Sequence, residues 1–276
     1  MTNAQGNIAS ANPAVVEDAV IVERNGDHTV LRINRPEQRN ALSNEVLAGL
    51  REGVAAVKAD RSARVLVLAG TGDEAFCAGG NLRQMGDASS DAYEAHRGRS
   101  QLAALFRDLW ELGKPTVARV PGYALAGGFG LAAACDFIIA SERAVFGIPE
   151  ISIGLWPYMI SVPLLHAMAP KQALKLMMTG ERVGAAEGLR LGFVTEIAPH
   201  AELDAVLAKF VGRLADASPQ SMALGRTAFY AVLNHDVDAR LRMLEALLTV
   251  NLSMPDAVEG LAAFVQKRTA SWKSGA

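Results

Sequence analysis

The chain has 276 residues, half of them hydrophobic, with 27 basic and 29 acidic side chains and a formal net charge of −2. That is ample material for a buried core, and too little net charge to draw nucleic acid or an anionic membrane by a general field, so any anionic ligand has to be met by local groups. Cys77 and Cys135 lie in apolar runs without CxxC or Cys/His spacing, the histidines at 28, 96, 166, 200 and 235 show no ligand spacing, and no GxSxG is present. A disulfide framework, a metal site and a covalent nucleophile therefore have no support in the sequence.

In chain order, the opening MTNAQGNIASANPA lacks the basic start and apolar run of a secretory signal, and no later stretch is long enough to span a bilayer. The reading is a cytoplasmic protein with a disordered tail over residues 1–14. Residues 19–24 and 28–34 are β-rich runs around Asn25-Gly26-Asp27, and Asn-Gly is a strong signal for a tight hairpin turn. Ser43 stands at an N-cap position ahead of Val46, Leu47, Leu50, Val54 and Val57, whose spacing predicts a helix.

Residues 64–69 (RVLVLA) predict a buried strand that leads into Gly70-Thr71-Gly72-Asp73 and then Cys77-Ala78-Gly79-Gly80-Asn81-Leu82. Polar residues 87–99 predict an exposed segment, residues 102–112 an amphipathic helix stopped by Gly113 and Pro115, and residues 116–120 another buried strand. After Pro121-Gly122 comes YALAGGFG, then LAAAC as a buried helix and FIIAS as a strand at 137–141. Residues 146–155 predict an irregular segment, 161–169, 171–178 and 185–191 short helices, and 193–197 a strand; from His200 onward the pattern is helical.

Short strands alternating with helices predict an α/β core of parallel strands over 15–199, followed by an all-helical region over 200–276. In that region Leu241, Leu244, Leu247, Leu248, Leu252, Leu261, Phe264 and Val265 are more than a small helical tail buries by itself. They either pack on the chain's own core or form a subunit contact.

Two glycine loops and one carboxylate carry the chemistry. If their strands are parallel neighbours, Gly79-Gly80 and Gly127-Gly128 reach one end of a sheet and their N–H groups converge. Glycine lets a ligand carbonyl approach the backbone, and Gly127 also stands near the positive end of a helix. Such donors support the oxygen of a thioester enolate when a proton leaves the adjacent carbon. The same glycines also suit tight turns or helix–sheet packing. Glu150, in FGIPEISIG at 146–154, has apolar neighbours on both sides, and desolvation raises a carboxyl pKa and strengthens it as a base. Gly128, Gly130 and Ala133 also match a dinucleotide fingerprint, but PGYALA separates the strand from Gly127 and Pro149 precedes the acid, which breaks that pattern.

Taken together, five ordered stretches resemble the crotonase superfamily, the enoyl-CoA hydratase and isomerase family. They are Asn34-Arg35-Pro36 with Arg39-Asn40-Ala41-Leu42, AFCAGGNL at 75–82, KPTVARVPGYALAGGFGLAAACD at 114–136, FGIPEISIGL at 146–155 and EGLAAFVQKR at 259–268. The resemblance implies a spiral of ββα turns with a C-terminal helical trimerisation region, assembled as a homotrimer or a dimer of trimers. It implies an acyl-CoA substrate and no separate cofactor, coenzyme A being part of the substrate.

By matching positions, it puts the oxyanion donors at the N–H groups of Gly80 and Gly127 and makes Glu150 the second of the two hydratase glutamates. Arg39, Ala41 and Leu42 fall where the family holds the adenine end of CoA, and Lys267 where a neighbouring subunit's lysine meets its phosphates. Loop 85–100, with Met85, and the segment containing Trp156 and Tyr158 are expected to shape the acyl pocket.

Gly130 stands where the first hydratase glutamate would be. Adding water needs a group to direct it, whereas one base can remove and return a proton, so the favoured reaction is isomerisation of a 3-enoyl-CoA to a 2-enoyl-CoA. The alternatives are a hydratase whose second group is Tyr158, Asp73, Asp87 or His96, and a CoA-binding or scaffold protein without catalysis.

Overall fold

In a computed structural model that describes residues 18–81, 92–233 and 236–273, the chain begins with the expected hairpin. Strands β1 (Val20–Asn25) and β2 (His28–Ile33) pair antiparallel, with Gly26 at φ 63 in the turn. The Ser43 side chain accepts a hydrogen bond from the Val46 N–H and so caps α1 (Asn44–Ala59), which buries Val46, Leu47, Leu50, Val54 and Val57. The 1–14 tail, Met85 and Asp87 lie outside the described residues.

Four further strands, β3 (Val65–Gly70), β5 (Thr116–Val120), β7 (Phe137–Ser141) and β10 (Glu196–Ala198), extend the hairpin into a six-stranded sheet. Its order is β1-β2-β3-β5-β7-β10, with every pairing after the hairpin parallel. Each residue of β3 and β5 is buried, as a parallel strand covered on both faces requires.

A second sheet was not legible in the sequence. Strands β4 (Ala75–Cys77), β6 (Tyr123–Leu125), β8 (Val145–Gly147) and β9 (Arg182–Gly184) have three residues each, too few for any periodicity to show. They lie in the order β4-β6-β8-β9, with β9 antiparallel. The chain therefore passes from the large sheet to the small one and then into a helix: β3, β4 and α2 (Ala92–Trp110), then β5, β6 and α3 (Gly127–Ala134). β7 and β8 begin a third pass, which makes the architecture the spiral of ββα turns that the motifs imply.

Three local expectations change. The polar stretch 87–99 is helical from Ala92, because Ala, Glu and Arg are good helix formers and polarity alone does not argue for a loop. Residues 146–155 contain β8 and a 3₁₀ turn, Pro149–Ile153. The strand expected at 193–197 is β10, shifted to Glu196–Ala198: Gly192, at φ 94, ends α6 (Ala185–Leu191), and Phe193 and Val194 turn into the core. Between β8 and α6 lie α4 (Ser161–Ala167) and α5 (Pro170–Thr179).

Beyond residue 200 the chain is helical as expected, but α7 (Leu203–Ala215) belongs to the core layers. Leu203, Val211 and Ala215 cover Val30, Val65, Val67, Val117 and Ile139 on the outer face of the large sheet. Helices α8 (Pro219–Val232), α9 (Val237–Leu252) and α10 (Pro255–Gln266) complete the chain. Leu241, Leu244, Leu248, Leu252, Leu261, Phe264 and Val265 are exposed on the single chain, so they do not pack on its own core.

Candidate active site

β4, β6 and β8 are parallel neighbours, with Cys77 opposite Ala124 and Leu125 opposite Gly147. Adjacent strands run about 4.8 Å apart, so the segments leaving their C-terminal ends emerge side by side. Those segments carry Gly80, Gly127 and Glu150 respectively.

Gly80 bridges Leu42 in parallel fashion: the Leu42 N–H donates to Gly79 O at 2.7 Å and the Asn81 N–H to Leu42 O at 3.1 Å. That pattern leaves the N–H of Gly80 out of the bridge, and among the described residues it has no backbone acceptor. Gly127 is the first residue of α3, where the N–H groups of the first turn are left over by the helical ladder. A methyl group placed on Gly127 would sit 3.6 Å from Gly80 N and 3.2 Å from Leu42 Cδ1, so the two glycines lie close together. On Gly128 it would meet Cys77 O at 2.1 Å, because α3 packs backbone against backbone on β4.

Ala126 aims this corner and was missed by sequence reasoning. It takes φ 50 and ψ −126 at the N-cap of α3, a conformation natural to glycine that costs an L-residue about 1–3 kcal/mol. Its N–H donates to Gly147 O at 2.9 Å, and its O accepts from Gly130 N–H at 3.0 Å. An alanine letter carries no signal of such a backbone.

Glu150 follows Pro149, which opens the 3₁₀ turn with its fixed φ, and Gly154 at φ 77 closes it. Leu155 N–H donates to Glu150 O at 3.0 Å, anchoring the far end. The side chain is half-buried, and its Oε2 is fully covered without a hydrogen-bond partner among the described residues. Burial pushes the carboxyl pKa upward against a smaller opposing effect from its own backbone N–H. A covered carboxylate oxygen without a donor is an acceptor held in reserve.

A methyl group on Gly130 would meet Ile160 Cγ2 at 2.3 Å and Ile160 Cβ at 2.6 Å. With Ile160 packed as it is, a side chain at position 130 would force it to shift.

Loop 35–42 is locked by Asn40, buried at φ 56. Its Nδ2 donates to Ala75 O at 2.8 Å and Thr71 O at 3.1 Å, while its Oδ1 accepts from Arg35 N–H at 3.1 Å. Leu42 is thereby brought against Gly127, Ala41 is half-buried, and Arg39 is exposed and pairs with Glu74 at 2.8 Å. Trp156 packs on the core, whereas Tyr158 is 76% exposed. Lys267 is exposed at the C-cap of α10, at φ 54. Asp73 is turned to Arg119 at 3.4 Å and His200 at 3.9 Å, beside α7. The side chain of His96 lies outside the described part.

Adjacent segments that carry Gly80, Gly127 and the half-buried Glu150, on a spiral of ββα turns, have the layout of a crotonase-fold protein. The chain belongs to the enoyl-CoA hydratase/isomerase family, whose family model matches residues 23–275. It is 32% identical over 256 residues to a crotonyl-CoA hydratase of Syntrophomonas wolfei, covering 92% of this chain and 98% of that protein. It is 30% identical over 263 residues to a carnitinyl-CoA dehydratase of Escherichia coli, covering 94% and 99%. Among solved structures, an enoyl-CoA hydratase of Mycobacterium smegmatis superposes with a TM-score of 0.88 at 30% identity, covering 93% of this chain and 99% of the other. The activity type that follows is acyl-CoA processing of the enoyl-CoA hydratase/isomerase kind.

Proposed function

We propose that the protein isomerises 3-enoyl-CoA to 2-enoyl-CoA with Glu150 as its one acid–base group. The observation that carries this reading is the covered Oε2 of Glu150, without a partner among the described residues, on the segment beside those that carry the N–H groups of Gly80 and Gly127. In this reading the thioester oxygen accepts from both amides. The Glu150 carboxylate takes a proton from C2, the C2–H electron pair moves into a dienolate held by the amides, and the carboxylic acid returns the proton at C4. Atoms balance without water, metal or a second cofactor.

Arg39, Ala41 and Leu42 would receive the adenine end of CoA, and Lys267 of a neighbouring subunit its phosphates. Trp156, Tyr158 and Met85 would shape the acyl pocket. The exposed apolar residues of α9 and α10 support self-association, which the family resemblance makes a homotrimer, alone or paired as a hexamer. We keep the cytoplasmic location expected from the sequence as part of this reading. Hydration is the second reading, favoured by the crotonyl-CoA hydratase relative and opposed by the absence of a carboxylate at Gly130.

The test follows the α,β-unsaturated thioester absorbance with 3-enoyl-CoA and 2-enoyl-CoA as substrates. It should rise with the former, and Glu150→Gln should lower kcat by about 10²–10⁴-fold while CoA binding, followed by calorimetry, persists. Binding of both thioesters without turnover would instead mark a CoA-binding scaffold.

A further inference from the structure

We infer that Ile160 is the specificity-determining residue that closes the water side of the site, so that proton transfer by Glu150 ends in isomerisation and not in hydration; this rests on the function proposed above. Three observations meet at that residue. Its Cγ2 and Cβ occupy the space into which a side chain at position 130 would project, 2.3 and 2.6 Å from a methyl group there. It is 3% exposed and belongs to the main core cluster, so the filling is hydrocarbon. It is also delivered by the chain that leaves the Glu150 turn: it is the N-cap of α4, held by Ser161 N–H donating to Pro157 O at 3.1 Å.

Hydration adds hydroxyl to C3 and a proton to C2, and the water has to be held by polar groups while it attacks. An ordered water makes about three hydrogen bonds. At the opening of α3 the space in front of Gly130 is taken by Ile160 carbon atoms, and the Gly130 N–H is already given to Ala126 O at 3.0 Å, so neither offers a water a partner there. A carboxylate cannot be restored at position 130 while Ile160 stays, so the two positions form one device.

The experiment uses the full-length protein and reads isomerisation, hydration and isotope content separately. In deuterium oxide the wild type should carry protium from C2 to C4 of the product and hydrate 2-enoyl-CoA only slowly. Ile160→Ala opens the wall to solvent and should raise the deuterium content at C4, a readout that a merely structural role would not move. The double variant Ile160→Gly/Gly130→Glu exchanges one volume for another and should raise hydration by about a hundredfold or more, the size of a positioned acid–base group. Gly130→Glu alone should gain no hydration.

The inference is overturned if Gly130→Glu alone hydrates as well as the double variant. It is also overturned if a folded double variant, checked by circular dichroism, isomerises without hydrating faster. Should the double variant not fold, the isotope content of the Ile160→Ala product decides, and a value equal to wild type overturns it. A wild type that isomerises 3-enoyl-CoA keeps the proposed function whichever way these results fall, whereas one that turns over neither thioester removes both.

Discussion

Glu150 was legible because its neighbours are apolar letters, and an apolar setting is what disfavours a carboxylate. The tertiary structure adds which of its atoms is covered and that, among the described residues, the covered oxygen has no donor. Burial, the largest cause of the shift, raises its pKa above the 4.5 of an ordinary glutamate. A base must be ionised to act, so kcat/KM should rise with pH through that raised value and flatten above it. A pH–rate profile whose acid limb falls at the ordinary glutamate value would contradict the desolvated base. Ala126 and Ile160 were not legible. One is strained by contacts on both sides of its peptide, and the other matters only because α3 and α4 pack together.

At the scale of elements, the long strands and capped helices were visible through periodicity and turn chemistry, and β4, β6, β8 and β9 were not. Three-residue strands exist because their neighbours supply the pairing. The docking of α8 is of the same kind. Arg226 donates from Nε to Asp136 at 2.8 Å, from Nη1 to Trp110 O at 2.7 Å and from Nη2 to Leu109 O at 2.8 Å. Asp136 also accepts from Thr116 N–H at 2.7 Å and from the Tyr230 hydroxyl at 2.6 Å. Arg226 and Asp136 are both nearly enclosed, so removing the cation strands a buried carboxylate. Arg226→Ala should therefore cost about 3–5 kcal/mol in denaturant unfolding. A loss within about 0.5 kcal/mol, typical of an exposed site, would show that α8 is held otherwise.

For the whole molecule, the helices beyond α8 leave a broad apolar surface uncovered, with Phe264 83% and Val265 78% exposed. Few monomers carry contiguous patches of that sort, which is the physical basis for the assembly proposed above. Leu248→Asp/Phe264→Asp should reduce the mass seen by light scattering to the 29.2 kDa of one chain and leave the helical circular dichroism unchanged. A wild type that is itself monomeric would remove the argument. Loss of the assembly should also weaken CoA binding if a neighbour's Lys267 meets the phosphates.

By itself the sequence determined the α/β class, the helical C-terminal region and the family likeness, and it singled out Gly80, Gly127 and Glu150 as candidates, because periodicity, capping and ordered motifs are local properties. Only the tertiary structure decided that the small sheet exists, that α7 belongs to the core, that Ala126 bears the strained corner and that Ile160 fills the space before Gly130. Each of these depends on segments distant in the chain coming within van der Waals reach, and no local pattern of letters encodes that distance.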